Sequence, residues 1–313
     1  VIRKLVSSLW FRATISIAVL AYIVGRLDWR DAVNAVFTID VRFLIAAFIV
    51  DTAARATMIS RWLLLLRSTG AVVNTWAAAR IFFISSFIGI ALPTGGTDVT
   101  RAYALARHTT ESHVALASVV VDRLLGVSAL IVLVLVGLSL GSVETLFSDR
   151  TLIVGLSVAT AGGLTLALWA DLSTRLLLPV SLQTSRLGTW LLRTADGIAH
   201  YRKRPLVLVA VLGQSVLVQG LRIFEIFLLG SGLGLGVNLT YYLIFMPVGL
   251  LAFMLPISVA GVGLPQGVIV SLFQPAGVPD TLSFALSTLI VLLGIVGTLP
   301  GLYLHLRAKK GLE

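Results

Sequence analysis

Apolar runs of about 20 residues or more recur along this chain, at 9 to 27, 41 to 66, 114 to 140, 151 to 170, 205 to 230 and 280 to 306. Each is long enough to cross the hydrocarbon core of a bilayer as a helix. With 313 residues, 58% of them hydrophobic and only 12% charged, and a mean hydropathy of +1.00, the chain has too little polar surface to fold as a water-soluble globule. The fold class expected is an all-α polytopic membrane protein. There are no cysteines, which removes disulfides, thiolate metal sites and cysteine nucleophiles from consideration. The net charge of +10 does not point to nucleic acid, because the Lys and Arg residues sit in short loops beside apolar spans, where they act as orientation signals. The first apolar run, Ile15 to Val24, leads into Gly25-Arg26-Leu27-Asp28-Trp29 without a small-residue cleavage site, so an uncleaved first span is expected.

Two further apolar stretches, 76 to 107 and 239 to 277, are each interrupted. The first holds Leu92-Pro93-Thr94-Gly95-Gly96-Thr97-Asp98 and the second holds Leu255-Pro256-Ile257-Ser258-Val259-Ala260-Gly261-Val262-Gly263-Leu264-Pro265. Backbone released from helical hydrogen bonds inside hydrocarbon must be satisfied by protein or by a water-filled cavity, so paired breaks mark a substrate site.

Basic residues place the ends of these segments. Arg3, Lys4 and Arg12, then Arg67 and Arg80, Arg101 and Arg107, the group from Arg175 to Arg204, and Arg307, Lys309 and Lys310 read as cytoplasmic, with both termini on that side. The loops at 141 to 150 and 231 to 238 carry little or no positive charge and read as external, while 27 to 40 is ambiguous. The first broken stretch then starts and finishes inside and the second starts and finishes outside. Six full spans plus two oppositely oriented re-entrant hairpins result, in an inverted-topology repeat: 1–145 with the hairpin 76–107, and 146–313 with the hairpin 239–277. Short tilted crossings, or plain spanning helices with kinks, are the alternatives. The connector 172–204 reads either as an amphipathic helix at the lipid interface or as an ordinary basic loop.

Half-helices resuming after each break, near Asp98 and at Pro265, would aim their N-termini at the membrane centre, where free amide donors and the positive dipole end suit an anionic headgroup. Glycines 95, 96, 261 and 263 could equally serve only tight turns and close packing. Buried charge is the second signal: Asp51, Arg55 and Arg61, Asp98 and Arg101, Asp122 and Arg123, Arg222 and Glu225. An ion facing lipid would cost at least about 2.5 kcal/mol, so these residues should face the bundle interior or a cavity. Asp51 with Arg55, and Arg222 with Glu225, could instead neutralise each other along one helix. An arginine beside a break can hold a phosphate through two hydrogen bonds. The candidate substrate-binding set is Arg55, Arg61, Thr94, Gly95, Gly96, Asp98, Arg101, Asp122, Arg123, Arg222, Glu225, Ser258, Gly261, Gly263 and Gln266. Histidines 108, 113, 200 and 305 fit no metal-ligand spacing. Trp10, Trp29, Trp62, Tyr241 and Tyr242, near span ends, read as interfacial anchors.

Three segments, Pro93 to Leu105, Val119 to Gly126 and Leu255 to Gly267, resemble the flippase-like membrane domain of bacterial lysylphosphatidylglycerol synthases over nearly the whole chain. The resemblance implies a polytopic lipid translocase in which Asp98, Arg101, Asp122 and Arg123 match recurrent polar positions. Thr97 stands where a glycine usually precedes the acid, Asp122 replaces a commoner glutamate, and Gln266 takes the place of a glutamate that many members carry. The expectation is a stand-alone member without the aminoacyl-transfer domain of the full synthases. The reading is a lipid flippase, not an enzyme and without cofactor or metal, in a bacterial or archaeal cytoplasmic membrane. Its substrate would carry an anionic or zwitterionic headgroup, on a phospholipid or a polyprenyl-phosphate lipid. A homo-oligomer and a lipid-modifying enzyme partner are compatible with it. The other function classes are an integral-membrane glycosyl- or phosphotransferase with Asp98 or Asp122 as base, and a non-transporting partner of a lipid-modifying enzyme.

Overall fold

A computed structural model describes residues 34–68, 70, 73–90, 97, 100–101, 104, 112–140, 185–254 and 264–310. The expected spans 9 to 27 and 151 to 170 lie outside those residues, as do positions 92–96 and 98 of the first Pro/Gly break and 255–263 of the second. Among the described residues the secondary structure is helical, with no strand. The helices are α1 (Val41–Ser68), α2 (Thr75–Ile90), α3 (Ser112–Leu140), α4 (Arg186–Arg202), α5 (Pro205–Gly232), α6 (Leu239–Met254), α7 (Leu264–Phe273), α8 (Asp280–Val296) and α9 (Leu299–Lys310).

Four stretches, Val41–Ser68, Ala117–Leu140, Pro205–Gly232 and Asp280–Arg307, are long and apolar enough to cross a membrane. The chain is an integral membrane protein. Helices α2 and α6, at 16 residues each, reach only about 24 Å at 1.5 Å per residue, short of the roughly 30 Å hydrocarbon core. They are the leading arms of the two interrupted stretches.

An internal correspondence runs through these elements. Both α1 and α5 have 28 residues, both α2 and α6 have 16, and one fixed offset carries Val41 onto Pro205 and Thr75 onto Leu239. The same offset carries Gly70 onto Gly234, two glycines with left-handed φ of 86° and 75°. Each donates its amide to the carbonyl three residues back, Gly70 to Arg67 and Gly234 to Ser231. It also carries Asn74 onto Asn238, whose side-chain oxygens cap the helices that follow by accepting from Trp76 N at 3.0 Å and Tyr241 N at 2.9 Å. A helix ended by a left-handed glycine and restarted by an asparagine cap is a local choice of the chain, and here it is made twice in the same register. Along α1 and α5 the offset pairs Asp51 with Ser215, Arg55 with Gln219 and Arg61 with Glu225. All of these are buried except Arg55, which is half-buried.

Close contacts divide the chain into two compact units: Val1–Ala54, Phe82–Thr100 and Gly220–Glu313 in one, Arg55–Ile81 and Arg101–Gln219 in the other. In the first unit the start of α1 lies against the end of α5, where Asp40 N donates to the Gly232 carbonyl at 3.1 Å. Gly232 admits this approach because a side chain there would meet Ile39 and Phe43. After the first break the chain returns along α2: Thr97 lies against Gly89, and the Thr100 hydroxyl donates to the Ser85 carbonyl at 3.3 Å. After the second break α7, with Pro265 in its first turn as expected, returns along α6. There the Tyr241 hydroxyl donates to the Leu272 carbonyl at 2.6 Å, and Tyr242 and Phe273 pack edge to face with ring centres 5.2 Å apart. In both interrupted stretches, described residues that follow the interruption lie against the helix that precedes it.

In the second unit Leu65, Ala117, Val121, Leu125, Ile198, Tyr201 and Val211 form a core that joins α1, α3, α4 and α5. The connector is thus helical over Arg186–Arg202, and its face of Ala195, Ile198, Ala199 and Tyr201 is buried in protein while Arg193 and Asp196 are exposed. The interfacial-anchor reading of Trp62 and Tyr242 is corrected: both are fully buried, because neighbouring helices cover them. Closeness to a span end does not reveal which face a residue takes.

Gly301 tests the packing. A methyl group there would strike the Phe83 backbone carbonyl, whereas at Gly294 no atom of the described residues lies within 4 Å of the same position. Gly301→Ala is expected to lower thermal stability by about 1–3 kcal/mol, and Gly294→Ala to leave it unchanged or raise it. Helicity followed by circular dichroism during heating in detergent distinguishes the two.

Candidate functional site

The site grows from α1 in the unit formed by Arg55–Ile81 and Arg101–Gln219. Position 61 falls on the side of α1 that carries the buried residues Leu65 and Ser68, four and seven residues on, so helical spacing turns an arginine into the bundle. Its guanidinium meets Asp122 of α3 at two points: Nη2 donates to Oδ2 at 2.8 Å, and Nε stands 2.7 Å from Oδ1, although only the first is aligned as a hydrogen bond. Nη1 donates to the Ser215 hydroxyl of α5 at 3.0 Å. That hydroxyl donates in turn to the Val211 carbonyl at 2.8 Å, one turn back on α5. One arginine thereby ties three helices together.

Arg101 approaches the same carboxylate, with Nη1 3.9 Å from Asp122 Oδ2. It comes from the segment after the first break, where the described residues Thr97, Thr100, Arg101 and Ala104 are all helical. These positions are three, four and seven residues from the first, one face of a helix. Its guanidinium carbon lies 5.4 Å from the centre of the Trp62 ring, a cation–π arrangement. Arg61, Arg101 and Asp122 are 5%, 3% and 5% exposed, so the three charges are removed from solvent together. A lone ion would cost several kcal/mol here, and the mutual contacts offset much of that.

Tyr201, from the end of α4, closes this side of the core. Its hydroxyl donates to the Leu65 carbonyl at 3.4 Å. Burial first, and then the Asp122 charge, push its pKa well above the usual phenol range, so it remains a neutral donor. Gln219 Nε2 donates to the Gly126 carbonyl at 3.3 Å, joining α5 to α3 one turn beyond Asp122.

Of the residues singled out in the sequence, Arg61, Arg101 and Asp122 are brought together. Arg123 is exposed, as is Arg222, while Arg55 is half-buried. Glu225 and Gln266 are buried in the other unit. Thr94, Gly95, Gly96, Asp98, Ser258, Gly261 and Gly263 lie outside the described residues. The sequence reading missed Ser215, Tyr201 and the inward role of Trp62. Ser215 and Trp62 carry no charge to flag them, and Tyr201 sits in a connector whose docking onto the bundle no local pattern announces.

The arrangement sets two guanidinium groups against a single carboxylate, a set suited to an oxyanion that can share one arginine. Asp122→Asn should destabilise the protein by about 3–5 kcal/mol, because it leaves buried guanidinium charge uncompensated. Combining it with Arg61→Met should cost less than the sum of the two single changes, a coupling read from thermal unfolding of the four proteins of the cycle in detergent.

The family model for the lysylphosphatidylglycerol synthase TM region matches residues 9–301. No curated protein matches the chain significantly.

Proposed function

We propose, because the chain belongs to the lysylphosphatidylglycerol synthase transmembrane-region family, that it moves a lipid with a phosphate-bearing headgroup between leaflets and performs no bond chemistry itself. The observation that carries this reading is the buried contact of Arg61 and Arg101 with Asp122. Arg61 is fixed by α3 and α5, while Arg101 lies at a looser 3.9 Å on the segment that follows the first break. A phosphate can take over the looser arginine without dismantling the tighter pair.

The repeated elements support an inverted-topology repeat of 1–145 and 146–313. In it, α2 with its returning segment and α6 with α7 are re-entrant hairpins entering from opposite faces. Movement of one half against the other would expose the headgroup to each side in turn while the acyl tails stay in hydrocarbon. Both termini would face the cytoplasm. A membrane lipid bearing an anionic or zwitterionic headgroup is the partner this reading calls for.

Two experiments address it. In vesicles containing the purified protein, Arg101→Ala is expected to reduce phospholipid translocation at least tenfold while the protein keeps its helicity. That factor corresponds to loss of about 1.5 kcal/mol or more from a charge-assisted hydrogen bond. Undiminished translocation removes Arg101 from the mechanism. Because the chain has no native cysteine, single cysteines at Gly95 and Ser258 can be labelled with an impermeant thiol reagent. Hairpins meeting in a polar pocket predict that both become labelled, and complete protection of either site contradicts them.

A further inference from the structure

Trp62 is fully buried, and its indole N–H has no hydrogen-bond acceptor among the described residues. Around it pack Leu63, Leu66, Val73, Ala78 and Ile81, with Ala104 against the same cluster, and none of these side chains can accept a hydrogen bond. A buried donor left unmade costs roughly 1–3 kcal/mol, and a phenylalanine would fill an apolar pocket without that penalty. Two other buried or half-buried aromatic donors in the protein are used: Tyr201 donates to Leu65 and Tyr241 to Leu272. The Tyr242 hydroxyl is also without an acceptor among the described residues, but its ring neighbours are Phe227 and Phe273. Trp62, in contrast, has a guanidinium 5.4 Å from its ring centre and follows Arg61 directly in the chain.

The geometry of an indole separates these two contacts. The cation lies over the ring face, whereas the N–H lies in the ring plane, so the same side chain can hold Arg101 and donate to a second group. A group able to accept from the N–H and also pair with a nearby guanidinium is an oxyanion. We propose that Trp62 is a ligand-contacting residue whose indole N–H donates to a phosphate oxygen of the lipid held by Arg101. This rests on the reading of the site as a lipid-phosphate site. It adds a neutral donor that selects for a phosphate oxygen and gives no favourable contact to an ammonium group.

The test is a titration of the full chain, in detergent and labelled with indole ¹⁵N, with dihexanoyl phosphatidic acid. The Trp62 indole cross-peak is identified by its loss in Trp62→Phe. Binding is expected to shift that cross-peak downfield, and Trp62→Phe, which keeps an aromatic face for Arg101, is expected to bind the lipid about tenfold more weakly. A Trp62 cross-peak that stays in place at saturating lipid, or an unchanged affinity in Trp62→Phe, overturns the proposal. If Arg101→Ala loses affinity in that case, only the role of Trp62 falls. If Arg101→Ala also binds normally, or the wild-type protein binds no lipid, the phosphate-site reading falls with it.

Discussion

An arginine held at two points by a carboxylate, inside helices that face lipid, constrains everything around it. Charges of this kind cannot be left to hydrocarbon, so the helices that carry Arg61, Asp122 and Arg101 must stay close enough to keep them in contact. The Arg61–Asp122 contact at 2.7–2.8 Å brings α1 to α3, and the Ser215 hydroxyl at 3.0 Å adds α5. Leu65, Val121, Tyr201 and Val211 then complete an apolar core alongside. Packing and electrostatics are not separable here: the apolar core excludes water, and that exclusion strengthens the ion pair. Arg101 joins the same carboxylate at 3.9 Å.

The second organising fact is repetition. Helices of equal length, a left-handed glycine after each 28-residue helix and an asparagine cap before each 16-residue helix recur at one offset. Two stretches of unrelated sequence would have no reason to choose the same terminator and the same cap in the same register. Polar positions recur with the framework, but their chemistry changes: Arg61 corresponds to Glu225, and Asp51 to Ser215. The scaffold is repeated, while the charges are distributed differently between its two copies.

Much of this was legible in the residues. Apolar length identified helices such as Val41–Ser68 and Pro205–Gly232, because crossing a bilayer is a requirement on length and composition. Pro265 marked the start of α7, because its fixed φ and missing N–H suit a first turn. Arg61, Arg101 and Asp122 stood out because a charge within an apolar run needs a partner. Their convergence did not, since residues on three separate helices share no local pattern. Trp62 and Tyr242 were misplaced at the membrane interface for a related reason: position along a span fixes depth, but neighbouring helices decide which face is covered. The repeat of Gly70-to-Asn74 in Gly234-to-Asn238 is written in the sequence, yet it becomes visible only once the helix boundaries give the register.

The central claim is that a phosphate group is the handle by which a lipid passes through this protein. The most direct measurement uses vesicles containing only the purified wild-type protein and two fluorescent lipids with identical acyl chains, one a phospholipid and one a phosphate-free monohexosyl diacylglycerol. Exchange between leaflets should accelerate for the phospholipid over protein-free vesicles and remain at the protein-free rate for the glycolipid. Equal acceleration of both lipids, or of neither, would contradict the account.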